Sequence, residues 1–386
     1  MRRLLLLVGA IVLVDTMFYA AITPLLPAYV ARFDLSKTGA GLLSGAYAVG
    51  AVLGTLPSGW LATRAGSRRT ALTGLALISL ASVGFAFGGT IALLDAMRFL
   101  TGVGGACAWT GGMGWLVAVA PPERRGAMIG AAMGAALTGV LLGPVLGVVA
   151  QGTGPELPFT GVGVLAALVA LAALRLPAPP TATATPRPYA TALGDARVRA
   201  GALLVLVPAL VYGTIEVLAP LALSALGASG VAIGATFLVA AAVGSIVQIA
   251  AGRASDRLGR ATPIRVGLAG TLVFVVLLPL PQVALLLALL VALVCVLSGA
   301  LNTPAMTLLS DGIEGVGLDY GLGFAIVNLV WGGGQVIGTI GGGTIAAATS
   351  DTVSYLLLAA ICATTLVTVA RTGLRSPAPT SGRVAA

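Results

Sequence analysis

The sequence predicts an all-α membrane protein of twelve transmembrane helices, arranged as two six-helix pseudo-repeats. Three observations carry this expectation: composition, the spacing of apolar runs, and an internal similarity at one fixed offset. Of 386 residues, 58% are hydrophobic and only 9% are charged, and the mean hydropathy is +1.06. A soluble domain carries about 25% charged residues, so this chain cannot cover a water-facing surface. The same figures exclude disorder, a coiled coil and a disulfide-knit secreted module. Histidine is absent, which removes the commonest metal ligand and the commonest general base. Cys107, Cys295 and Cys362 fall in apolar runs at spacings that match no metal site. They read as small hydrophobes. Neither a metal, a cofactor nor enzyme chemistry is expected.

A membrane-crossing helix needs about 20 mostly apolar residues. Such runs fall at 4–30, 38–62, 70–89, 90–119, 127–150, 159–175, 201–223, 230–251, 263–281, 283–310, 320–349 and 352–371. The breaks carry turn and charge chemistry, as at Ala65-Gly66-Ser67-Arg68-Arg69 and Pro121-Pro122-Glu123-Arg124-Arg125. The start, Met1-Arg2-Arg3 followed by Leu4–Val14, shares features with a signal peptide. No small-x-small cleavage site follows Asp15, however, and the apolar run resumes to Tyr29, so it is read as the first helix. When the breaks are sorted alternately, 18 of the 21 basic residues fall on one side. Arg32 and Lys37 fall on the other, and Arg98 lies within a span. Positive residues stay cytoplasmic. Both termini are therefore expected in the cytoplasm, in a multi-pass monomer of the inner or plasma membrane. The net charge of +9 then reads as topogenic, facing the lipid bilayer and not nucleic acid.

The long break at 176–200 is rich in Pro, Thr and Ala and reads as a semi-extended cytoplasmic linker. It separates an N-terminal bundle, 1–175, from a C-terminal bundle, 201–372, with a cytoplasmic tail at 373–386. A shift of 193 residues lays Gly59–Gly66 onto Gly252–Gly259 and pairs Tyr19 with Tyr212, Ile22 with Ile215 and Pro27 with Pro220. Two parallel repeats imply a substrate site near the bilayer midplane between them.

These residues resemble the major facilitator superfamily over essentially the whole chain. Gly59-x-x-x-Thr63-Arg64-x-Gly66-x-Arg68-Arg69 resembles that family's G-x-x-x-D-R-x-G-R-R loop. Gly252-x-x-x-Asp256-Arg257-x-Gly259-Arg260 is a fuller copy. Asp95 to Gly105, with Arg98, Gly102 and Gly104, is similar to the arginine motif of the family's fourth helix. Gly139-Val140-Leu141-Leu142-Gly143-Pro144-Val145-Leu146-Gly147 is similar to the G-x-x-x-G-P-x-x-G motif associated with antiporters. Asp15 to Pro27 and Glu216 to Pro220 resemble the drug:proton antiporter branch. The resemblance implies a gating role for the loop motif. Thr63 stands where the family has an acid, so a symmetric cytoplasmic latch is not expected. Pro144 removes a donor and clashes one turn back, which predicts a kink beside the small face of Gly139, Gly143 and Gly147.

The intramembrane charges point to mechanism. Away from the span ends, only Asp15, Asp95, Arg98 and Glu216 are charged, and an ion near a helix centre costs about 2.5–3.5 kcal/mol on insertion scales. Their depths predict an Asp15–Arg98 pair, with Asp95 as a competitor nearer the outer surface. Glu216 finds no basic residue at matching depth in the later spans. It is expected to carry the exchanged proton or to meet a cationic substrate, with Tyr212, one turn away, as its hydrogen-bond partner. Tyr19, Trp109, Tyr212, Asn302, Asn328, Trp331 and Gln335 are further candidates for a cavity holding a small-molecule substrate. The expected function is secondary transport by alternating access: proton-coupled efflux of a small lipophilic or cationic compound, with the proton as coupling ion. The alternatives are a family carrier for a sugar or other metabolite and, from other classes, a receptor or an intramembrane enzyme. The missing histidines and the lack of a nucleophile–base constellation argue against the enzyme.

Overall fold

The computed structural model describes residues 1–178, 194–315 and 320–372, without the side chains of Pro122, Asp256, Glu314 and residues 320–324. Most of the expected linker and all of the expected tail lie outside the described residues. The helices are α1 (Arg2–Ala20) running on into α2 (Ile22–Phe33), α3 (Lys37–Ala65), α4 (Ser67–Ala86), α5 (Ile91–Val119), α6 (Arg125–Thr153) and α7 (Glu156–Leu174). After the linker come α8 (Ala196–Ala225), α9 (Gly230–Leu258), α10 (Ala261–Leu277), α11 (Ala284–Gly315) and α12 (Tyr320–Val336). A π turn (Ile337–Gly341) leads from α12 into α13 (Gly342–Ala348), and α14 (Asp351–Thr372) ends the described chain.

Among the described residues, ten helices are long and apolar enough to cross a membrane, counting α1–α2 as one. The remaining two expected spans are α10, an apolar helix of 17 residues, and the stretch from α12 to α13, which the π turn interrupts. Several helices begin at a side-chain cap. The Ser36 hydroxyl accepts from the Gly39 amide (3.2 Å) and starts α3, and Thr90 does the same for Leu93 (3.3 Å) at α5. Asp195 accepts from Arg197 and Val198 at α8, and Ser229 accepts from Ala232 (3.2 Å) at α9. These caps satisfy amide groups that would otherwise lack partners at a helix start.

Glycine lets the helices approach closely. A methyl on Gly50 of α3 would meet the Phe99 carbonyl of α5, and one on Gly102 would meet the Tyr47 carbonyl of α3. Gly139, Gly143 and Gly147 of α6 receive α1–α2 at Leu13, Met17, Ala20 and Ala21, with the Thr16 hydroxyl donating to the Ala136 carbonyl (2.9 Å). This is small-residue packing that brings backbones together where the hydrophobic effect gives little help. α6 runs as one helix through the buried Pro144. Pro304 likewise leaves α11 unbroken. The three cysteines are free and buried.

Helices of residues 1–174 meet those of residues 196–372 along α3 with α12–α13, α6 with α9, and α2 with α8. Contacts at the end away from the arginine clusters include the Lys37–Asp351 ion pair, the Gln151 amide donating to the Pro24 carbonyl and Gly343 against the Lys37 backbone. Gln151 and Pro24 belong to the same group of helices, yet Gln151 also abuts Gly230 of α9.

Candidate functional site

Four helices bring the charged candidates into the interior: α1 carries Asp15 and Tyr19, α3 carries Tyr47, α5 carries Arg98 and Trp109, and α8 carries Glu216. Asp15, Arg98 and Glu216 are 0%, 1% and 7% exposed, respectively. All three are turned into the protein, as their cost in lipid requires.

The expected Asp15–Arg98 ion pair is not formed. The Arg98 guanidinium donates instead to four main-chain carbonyls: Leu43 (3.4 Å) and Ser44 (3.2 Å) on α3, and Phe18 (3.5 Å) and Tyr19 (3.4 Å) on α1. It also lies over the rings of Phe18 and Tyr47, 5.8 and 5.6 Å from their centroids. The guanidinium has five donors in a planar fork, and two crossing helices supply carbonyls on several of its edges. These carbonyls hold the cation where Asp15 was expected to hold it.

Asp15 is gripped by neutral donors. Its Oδ2 accepts from the Tyr47 hydroxyl (2.8 Å) and the Trp109 indole N–H (2.9 Å). Gly105 on α5 makes room, since a methyl there would lie 2.5 Å from Asp15 Oδ1. Asp95 is half-buried and also does not bond to Arg98.

Glu216 is held from across the molecule. Its Oε2 accepts from the Tyr19 hydroxyl of α1 (2.9 Å), and that hydroxyl accepts from the Gln335 amide of α12 (2.7 Å). Tyr212 is not its partner, because the Tyr212 hydroxyl donates to the Cys295 carbonyl of α11 (2.7 Å). Nor is Glu216 without a cation in reach: Arg98 acts on it, as on Asp15, through space. That cation comes from α5, among the helices of residues 1–174, and not from the later helices.

The rings of Tyr19 and Tyr47 lie 4.9 Å apart, which joins the two carboxylates into one cluster. Asp15 Oδ1, Glu216 Oε1 and Gln335 Oε1 are buried without a hydrogen-bond partner. Trp331 packs on Tyr212 at 5.9 Å, and Asn328 is half-buried on the same helix. Asn302 Oδ1 is buried and unpartnered on α11. Tyr47 was missed by sequence reasoning, and its one signal was being the only tyrosine in a glycine- and alanine-rich span.

The loop motifs sit at the arginine-rich end. Gly66 and Gly259 end α3 and α9 with φ of 86° and 80°, a region glycine enters without the Cβ clash. Arg64 lies 4.6 Å over the Trp60 ring, Arg68 donates to the Leu174 carbonyl at the end of α7, and Arg257 is exposed. Gly59 has no neighbour that a methyl would meet within 4 Å. Thr63 bonds back to the Trp60 carbonyl (2.8 Å). The Asp256 side chain lies outside the described residues. A separate cavity of about 580 Å³ at the opposite end is lined by Pro27, Tyr29, Arg32, Gln151 and Ser224 among others, and by none of the buried charges.

A buried arginine beside two acids on different helix groups fits a carrier, and the family model for the Major Facilitator Superfamily matches residues 8–322. The chain belongs to the major facilitator superfamily. This is a family of secondary carriers, not enzymes, and its members are multi-pass membrane proteins. The uncharacterized MFS-type transporter YcaD of Salmonella dublin is 26% identical over 280 residues, covering 71% of this chain and 70% of that one. The MFS-type transporter ppzB of Metarhizium majus is 32% identical over 122 residues. The chain matches only 26% of that relative's length. Among solved structures, a bacterial homolog of the human lysosomal transporter Spinster, inward-facing and occupied, superposes with a TM-score of 0.78 at 17% identity, covering 97% and 98% of the two chains. The xylose transporter XylE from E. coli superposes at 0.72 with 17% identity, covering 95% and 96%. These likenesses carry the fold.

Proposed function

We propose that this major facilitator protein exports a small lipophilic cation in exchange for protons. Its two six-helix halves, 1–175 and 201–372, would rock about the buried cluster. One observation carries the reading: among the described residues a single permanent cation, Arg98, shares the interior with two carboxyl groups, each of which has one oxygen free. With both acids ionised the cluster holds one excess negative charge in a medium that penalises it. Either one proton or one monovalent cation removes that excess, so the two compete. Competition of this kind, with the site opened to alternate sides, is antiport. A membrane potential of 100 mV adds about 2.3 kcal/mol for each elementary charge moved.

The arginine-rich end is taken as cytoplasmic on the positive-inside argument. On that assignment the Lys37–Asp351 pair and the Tyr19–Glu216 bond close the outer side in the state seen here. The aromatic rings of Trp331, Tyr212 and Tyr19 suit a lipophilic cation. Gating by the loops, and a flexing role for Gly139, Gly143, Pro144 and Gly147, belong to the same reading.

A second reading is a carrier for a sugar or other metabolite. The neutral amides of Gln335, Asn328 and Asn302 favour it, two of them with unpartnered buried oxygens. A 100-residue match at 37% identity to a putative metabolite transport protein, YncC of Bacillus subtilis, points the same way. Reconstituted flux separates the readings. Purified protein in proteoliposomes with an imposed pH gradient is offered ethidium, tetraphenylphosphonium and a panel of sugars. The proposal expects gradient-driven movement of the cations, lost in Glu216→Gln. Sugar flux with no cation flux would replace it by the second reading.

A further inference from the structure

The two carboxylates are served by tyrosines in the same way, but from different places. Asp15 takes its hydroxyl from Tyr47 and its indole from Trp109, on α3 and α5, which belong with α1 to the helices of residues 1–174. These donors move with Asp15 if the two groups of helices shift against each other. Glu216, on α8, has no such local donor. Among the described residues its one hydrogen bond comes from Tyr19 on α1, and Tyr19 is in turn held by Gln335 on α12.

We propose that Tyr19 is the residue that couples proton exchange to conformation, because its hydroxyl reaches Glu216 across the interface and can stay there only while the two groups of helices are closed around it. The inference rests on the exchange reading above and assigns the switching to one contact. A carboxylate stripped of a hydrogen bond in a dry site is much less comfortable when charged. Parting the interface therefore changes how Glu216 holds its proton, while Asp15 keeps both donors. Asp15 is the steady member of the pair and Glu216 the switched one.

The surroundings of Glu216 favour this single contact. The titratable or charged groups acting on it are Tyr19 from α1, Arg98 from α5 and Cys295 from α11. α12 contributes the neutral Gln335 through Tyr19. Tyr47 on α3 is committed to Asp15, and Tyr212 on α8 itself is committed to the Cys295 carbonyl. Arg98 is pinned by carbonyls of α1 and α3, so it travels with Tyr19. Cys295 lies on α11, which packs on α8 within the same group. Of the described groups acting on Glu216, Tyr19 is the one that reaches it across the interface through a directional bond, which small separations break.

Infrared difference spectroscopy on the full chain in nanodiscs tests this without a substrate. The protonated-carboxyl band of each acid is identified by its loss in Glu216→Gln and Asp15→Asn. The closed state is held by bridging Lys37→Cys and Asp351→Cys with a short bis-maleimide. The Glu216 titration midpoint should differ between bridged and unbridged protein by about one pH unit, a tenfold change in proton affinity. Tyr19→Phe should abolish that difference, and Gln335→Leu should reduce it, while the Asp15 midpoint stays the same in both states. A difference that survives Tyr19→Phe overturns the proposal. So does the absence of any difference in the wild type, or an Asp15 midpoint that moves as far. Failure of the exchange reading looks different: it is the absence of gradient-driven ethidium flux by the wild type, whatever the infrared bands do.

Discussion

Positions 193 residues apart behave in two opposite ways in this molecule. At the helix ends they agree. Asp34 and Gly227 both take positive φ (49° and 83°), Gly66 and Gly259 do so at 86° and 80°, and Ser36 and Ser229 each cap the helix that follows. In the interior they part. Tyr19 spans the interface to Glu216, whereas Tyr212 stays among its own neighbours on the Cys295 carbonyl. The ends answer to backbone geometry, which is the same wherever a helix turns back. The interior answers to charge, and charge is placed once: Arg98 on α5 has the apolar Val291 at the position 193 residues on, in α11.

The largest effect should come from attacking that difference directly. Glu216→Gln should lower ethidium flux driven by a pH gradient about 100-fold, equivalent to about 2.7 kcal/mol in a barrier, and leave the remainder insensitive to pH. The sign follows from the exchange: wild-type efflux rises as the outside is made more acidic, because protons enter as substrate leaves. An unchanged pH profile in proteoliposomes would remove Glu216 from the mechanism. Asp15→Asn turns an acceptor of two hydrogen bonds into a group with donors of its own facing Tyr47 and Trp109. It should cost about 2 kcal/mol of stability, read as a lowered midpoint of thermal unfolding in detergent.

The helix ends give the symmetrical counterpart. Gly66→Ala and Gly259→Ala each force a Cβ into positive φ with extended ψ (φ 86°, ψ 156° and φ 80°, ψ 159°), at about 1–3 kcal/mol. Thermal unfolding should show equal losses, and a large inequality would mean that the two loops are not equivalent. The smallest change belongs to Lys37→Ala. The ion pair with Asp351 has side chains 37% and 29% exposed, and such pairs contribute about 0–1 kcal/mol, less in high salt. Differential scanning fluorimetry at two salt concentrations should show a shift of a degree or two that vanishes at the higher one.

The helices were legible because each is a run of apolar residues closed by a polar or glycine break, and both signals are local. α10 and the stretch from α12 to α13 are the exceptions by length and regularity, and no run of hydropathy could show a π turn at Ile337–Gly341. The buried charges were legible too, since Asp15, Arg98 and Glu216 stand alone in oil. Their partners were not. Whether Arg98 meets an acid or four carbonyls depends on how α1 crosses α3 and α5, and a sequence carries depth but not azimuth. The Tyr212–Glu216 pairing followed from helical spacing alone. It lost to a bond between helices, where Tyr19 approaches from the other group and Cys295 offers a carbonyl nearer to Tyr212. Tyr47 escaped notice because nothing in its own span marks which face it occupies.

The surplus residue in the π turn also fixes a phase relation. An α-helix advances 100° per residue, so one extra residue rotates everything beyond it by that angle relative to everything before. Gln335, just before the turn, points at Tyr19, and Gly343, just after it, lies against the Lys37 backbone. Deleting one residue between them would leave a smoother rod that could be keyed to Tyr19 or to Lys37, but not to both. The irregular turn is thus the piece of winding that lets a single helix register with two separate docking points on α1 and α3.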